Sequence, residues 1–152
     1  MIDDGLYFKL LAKDRTGGFS QWRWPVPRAV LPPVEGNLRA CHNGYHMLTR
    51  HMVTEWWIQN SCSPCVPFRS IVLVEADARE PVFGWKLFVA HKDNIPVVVR
   101  TGTVLAEIKI PHGKLKPHWV LEDYDACDKI MMSLLDTLLS LRWPSAQKLI
   151  TR

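Results

Sequence analysis

Residues 36–65, GNLRACHNGYHMLTRHMVTEWWIQNSCSPC, decide both the fold and the place of a site. The stretch holds three of the four cysteines, three of the six histidines and two of the seven tryptophans. Residues 37–41 read as a short strand. His42-Asn43-Gly44 follows as a tight turn, because Asn and Gly tolerate the backbone angles that a sharp reversal needs. Thr49 stands where a helix cap belongs, its hydroxyl placed to accept a backbone N–H, and a helix is expected over about residues 50–60. Met52, Val53, Trp56 and Trp57 form one apolar stripe along it, with Arg50, Glu55 and Gln59 on the other side. Strand, turn and helix meet at Tyr45 and His46, and the expectation is that both side chains line one wall of a site.

Working outward, residues 6–13 (LYFKLLAK) read as a first strand and residues 14–18 (DRTGG) as a turn. Residues 19–35 carry Trp22, Trp24 and four prolines, so this segment is expected to be extended or irregular, pinned to the body by its tryptophans. Downstream, residues 70–76 (SIVLVEA) and 82–90 (VFGWKLFVA) read as strands, the second with a bulge or close approach at Gly84. Residues 97–100 and 104–110 read as two more, joined by a tight turn at Thr101-Gly102. The alternation of Leu105, Ile108 and Ile110 is imperfect. A basic loop over 111–117 leads to a helix of about 122–142, opened by acids that suit the positive end of its dipole. Its apolar stripe is Ile130, Met131, Leu134, Leu135, Leu138 and Leu141, and Pro144 is expected to stop it. The fold class is α+β: residues 1–152 form a single domain, a mostly antiparallel sheet of about five or six strands covered by one short helix and one long C-terminal helix.

Composition narrows the function. The net charge is +4, with no run of five basic residues, which argues against duplex nucleic acid. No apolar run approaches the ~18 residues of a membrane span, and the acidic start MIDDGLYFKLL does not read as a signal peptide. Four cysteines without such a signal fit a reduced, cytoplasmic setting.

Several chemistries compete. Cys62 and Cys65 form a C-x-x-C pair, and Cys41 and His46 complete a set of four, with His42 or His51 as substitutes, for a structural zinc ion. Alternatively, Cys41 is a small buried apolar residue and Cys62 and Cys65 are free loop thiols. A dithiol redox pair is disfavoured because the cysteines follow a helix rather than open one. Cys41 and His42 make a nucleophile–base pair only if the strand breaks there, since neighbours on a strand point to opposite faces. Trp22, Trp24, Tyr45, Trp56, Trp57 and Trp85, with Arg23 and Arg50, supply ring faces on which single-stranded nucleic acid or a nucleotide-like ligand could stack.

Two resemblances add expectations. Gly18, Trp22 and Pro25, then Glu35-Gly36-Asn37-Leu38, then Cys41-x-x-Gly44-Tyr45-His46, resemble a family of small uncharacterised proteins of bacteriophages and actinobacterial genomes; the resemblance covers mainly residues 6–57. It implies a small accessory protein of phage type, and the density of aromatic and imidazole groups around Tyr45 and His46 gives the expectation that such a module recognises a host protein, another host macromolecule or a nucleotide-like ligand. Gly44-Tyr45-His46 before a helix also looks like the strand–helix joint of ADP-ribosyltransferase-type domains. That resemblance implies NAD as cofactor, Tyr45 or His46 at the nicotinamide and Thr49 opening the helix. Tyr7-Phe8-Lys9 stands where that family places a His or Arg. The expected ligand-binding residues are therefore Tyr45, His46, Thr49, Trp22, Trp24 and Arg23, with catalysis left open.

Overall fold

The computed structural model describes residues 5–17, 21–39, 43–62, 68–76, 79–81, 97–111 and 124–151, with the backbone alone at 59–62, 79–81 and 142–151. The elements in order are β1 (Leu6–Ala12), β2 (Tyr45–Met47), a 3-10 turn (Arg50–Met52), α1 (Val53–Cys62), β3 (Phe68–Glu75), β4 (Arg79–Pro81), β5 (Val97–Val99), β6 (Thr103–Lys109) and α2 (Tyr124–Thr151). The expected strand at 82–90 and the basic loop after Pro111 lie outside the described residues.

The strands form two antiparallel three-stranded sheets, β1-β3-β6 and β2-β5-β4. Phe8 and Leu48 exchange backbone hydrogen bonds of 2.9 and 2.8 Å, which stitches β1 of the first sheet to the chain leaving β2. Alternation along β1 sorts the core. Phe8 and Leu10 face the helices, where they meet Met52, Val53, Trp57, Met131, Leu135 and Leu138. Tyr7 and Leu11 face the second sheet, with Val72, Val74, Met47, Val97, Val99 and Val104. The β1-β3-β6 sheet is thus a middle layer, buried on both sides, which is why β3 reads as a continuous apolar run. Each fully buried Leu or Ile here contributes roughly 1.5–3 kcal/mol.

Two expectations about strands change. β5 and β6 do not pair with each other; residues 100–102 form a corner that carries the chain from one sheet to the other. Gly102 sits at that corner because a side chain there would meet the Glu75 carbonyl oxygen at 2.8 Å. The free edge of β6 goes instead to the Trp/Pro-rich segment. Leu31 N–H bonds the Gly102 carbonyl (2.7 Å), Val104 N–H bonds the Ala29 carbonyl (2.9 Å) and Val34 N–H bonds the Arg100 carbonyl (3.0 Å). Prolines lack the donor that a central strand needs, so the segment can serve only as an edge. The broken alternation in β6 also has a cause. Leu73 pairs with Ala106 and Val74 with Val104, so Leu105 is the extra residue of a bulge.

The approach to β2 also differs from expectation. Arg39 and Asn43 exchange two 2.8 Å backbone bonds, so Asn43 is bridged to Arg39 instead of standing inside the expected turn. The Asn43 amide ties the preceding loop by donating to the carbonyls of Glu35 (2.6 Å) and Asn37 (2.9 Å). Gly44 has φ +119°, and a Cβ there would lie 2.2 Å from Val98 Cγ1. Glycine is needed for close approach, not for a hairpin turn.

The helical layer is nearer to expectation. Met52, Val53 and Trp57 are buried and Trp56 packs beside them. Thr49 makes no side-chain capping bond; its backbone carbonyl accepts from Met52 N–H at 3.0 Å and a 3-10 turn opens the helix. α2 runs to Thr151, beyond the expected stop at Pro144. A proline inside a helix forfeits one i→i−4 bond, here to the Ser140 carbonyl, without always ending it. Leu141, assigned to the apolar stripe, is 48% exposed. Thr54 Oγ1 donates to Asp128 at 2.7 Å, a buried polar tie between α1 and α2.

Candidate functional site: aromatic rings above a lysine

β2 is a strand, so its successive side chains diverge. Tyr45 and Met47 point into the core between the sheets. His46 lies between them on the opposite face, in register with Val98. The expectation that Tyr45 and His46 share one wall is therefore corrected. Burial lowers the His46 pKa, and the positive charge of Lys9 lowers it further.

The Trp/Pro-rich segment brings two rings to Tyr45. Ring centroids are 5.3 Å apart for Trp22–Tyr45, 5.6 Å for Trp24–Tyr45 and 5.6 Å for Trp22–Trp24, in tilted and edge-on geometries that favour ring quadrupoles. Trp24 is buried, whereas Trp22 is 40% exposed. Tyr45 is oriented by its hydroxyl, which donates to the Pro32 carbonyl at 2.6 Å. Its pKa is raised by burial.

Under these rings is a lysine that was not among the expected ligand-binding residues. Lys9 occupies the inner face of β1 between Tyr7 and Leu11, and its Nζ lies 5.6 Å from the Trp24 ring centroid. Gly17 makes room for it: a Cβ at Gly17 would stand 3.0 Å from Lys9 Cε and 3.1 Å from Nζ. Burial brings the Lys9 pKa down to about 8. Among the described residues the amine makes no ion pair.

Its natural partner is engaged elsewhere. Lys9, Val72 and Glu107 form one row across β1, β3 and β6. Arg15 takes both oxygens of Glu107, at 2.8 Å each. Arg15 also donates to the carbonyls of Trp24 (3.0 Å) and Pro25 (2.8 Å), and accepts from Trp24 N–H through its own carbonyl at 2.8 Å. It holds φ +67°, a left-handed conformation that costs a non-glycine residue about 1–2 kcal/mol. The charge-assisted bonds offset that strain and clamp the tryptophan segment to β6.

The other expected residues are dispersed. Arg23 donates from Nε to the Asp14 carbonyl at 3.0 Å and lies on the turn after β1. Asp14 has a lowered pKa, chiefly because Thr16 donates to it from its hydroxyl and its N–H. Thr49 opens the 3-10 turn. Arg50 pairs with Asp136 of α2 at 2.7 Å, away from the rings. Trp56 and Trp57 belong to the helical side of the middle sheet, so the set of six stacking aromatics divides. Cys41, His42, Cys65 and Trp85, and the side chain of Cys62, lie outside the described residues, so of the four expected zinc ligands only His46 is placed, and of the substitutes only His51, which is exposed in the 3-10 turn. Among the described residues no group of three or more His, Cys, Asp or Glu could hold a metal ion. No described helix is long and apolar enough to cross a membrane.

The sequence holds a faint signal for Lys9. It is the one charge in LYFKLLA, at an alternate position shared with two core residues. No protein-family model, curated protein or solved structure matches the chain.

Proposed function

We propose that this chain is a small binding module that receives the planar group of a nucleotide-like ligand on Trp22. One observation carries the reading: an indole left 40% exposed while two further rings, Trp24 and Tyr45, hold it in place from within the fold. A stacking surface that is already ordered loses little entropy on binding, and base–aromatic stacking contributes about 1–3 kcal/mol per base. The placement of the chain among phage or actinobacterial accessory proteins rests on the sequence resemblance over residues 6–57.

Calorimetric titration with adenosine tests this. Wild-type protein should bind it, and Trp22→Ala should weaken binding by roughly five- to a hundredfold, the range set by one stacked base. Absence of any heat or fluorescence change with purine and pyrimidine nucleosides up to millimolar concentration would refute the reading.

A further inference from the structure

Resting on that reading, we infer that the ligand carries an anionic group, a phosphate monoester, and that Lys9 is its subsite. The geometry supports this from three sides. The amine sits one ring away from the exposed Trp22, since it lies against Trp24, whose ring touches that of Trp22. The only carboxylate in its cross-strand row, Glu107, is held on both oxygens by Arg15. The chain beside it is glycine at residue 17, so no side chain from that position fills the space at the end of Lys9, where a Cβ would stand 3.1 Å from Nζ.

A cation placed beside core residues with no counter-charge among the described residues is unfavourable to the fold, and an anion entering from outside supplies one. A mononucleotide separates its base from its phosphate by a comparable one-ring reach. Among the described residues, the charged or titratable groups on the same side of the fold as Lys9 are Tyr7 on its own strand, Tyr45 on β2, and the Arg15–Glu107 pair from the turn after β1 and from β6, while His46, on the other face of β2, feels its charge. None of these offers Lys9 a free carboxylate.

The experiment compares adenosine, AMP and inorganic phosphate by calorimetry against wild-type protein and Lys9→Met, with the Lys9 amine followed by NMR through pH titration. AMP should bind wild-type protein at least roughly tenfold tighter than adenosine, the scale of one charge-assisted hydrogen bond. Lys9→Met should abolish that difference. AMP should also raise the pH at which the Lys9 amine titrates, because a bound anion favours the protonated form. If adenosine binds but AMP gains nothing, or the gain survives in Lys9→Met, the anion subsite is refuted and the stacking reading stands. If adenosine does not bind but phosphate or AMP still shifts the Lys9 titration upward, stacking fails and the anion subsite stands. If neither effect is seen, both are wrong.

Discussion

Replacing Lys9 with methionine should make the free protein more stable, and the gain should vanish at high pH. The amine titrates near 10.5 when exposed and near 8 in the fold. That interval corresponds to about 3 kcal/mol disfavouring the charged form in the native state. The sign follows from proton counts. Below pH 8 both folded and unfolded chains carry the ammonium, and the full desolvation penalty falls on the native state. Between about 8 and 10.5 the unfolded chain binds more protons, so native stability rises with pH. Above that window both forms are neutral and the penalty is gone. Methionine keeps the unbranched apolar stem, one atom shorter, but gives up a cation–π contact of ~0.5–1 kcal/mol. The net expectation is a gain of about 2–3 kcal/mol at pH 7, shrinking toward zero by pH 10.5. Tyr45 and Tyr124, whose pKa values are raised, and Cys127, raised to about 11, act in the opposite direction in the same range. Urea unfolding of both proteins at each pH, taken as a difference, removes their contribution. Parallel stability curves for wild type and Lys9→Met across pH 7–10.5 would show that the amine is not desolvated.

Arg15→Met strands the half-buried Glu107 carboxylate and frees two carbonyls; it should destabilise by about 3 kcal/mol and expose the Trp24 indole, seen as a red shift in fluorescence. Gly44→Ala forces a Cβ toward Val98 Cγ1 at a positive φ and should lower stability by ~3 kcal/mol; adding Val98→Ala should recover part of the loss but not the backbone strain. Thr54→Val removes the donor to Asp128 and should cost about 1–2 kcal/mol, read as faster amide exchange in α1. Tyr45→Phe gives up the bond to the Pro32 carbonyl; about 1 kcal/mol of stability is expected to go, with the ring contacts retained in a chemical-shift map.

Apolar period made part of the fold legible from residues alone. The unbroken apolar run of β3 and the 3.6-residue stripes on α1 and α2 each specify an element and the face it buries. Pairing was not legible. Thr101-Gly102 has the residues of a hairpin turn, yet whether the strands it joins pair with each other depends on what else can satisfy the β6 edge. That partner was a proline-rich segment with no strand period at all. Tyr45, Trp22 and Trp24 could be named from their ring chemistry, but their convergence required Arg15, a turn residue with no motif around it. The convergence expected for Tyr45 and His46 fails because the two-residue alternation of a strand sends neighbouring side chains to opposite faces. Lys9 carries no motif, and period alone does not tell a lysine on a buried face of a strand from one on a solvated face.

The proline-bearing segment along β6 has one more effect. Val30 is 63% exposed and lies between Pro27 and Pro32-Pro33 on the outer rim of the sheet. A second molecule approaching that rim finds donors missing on either side of a single residue. The same stretch that carries the tryptophans thereby discourages chains from annealing end to end into fibrils. Swapping Pro27, Pro32 and Pro33 for β-branched residues would put recognition and aggregation in competition on one surface.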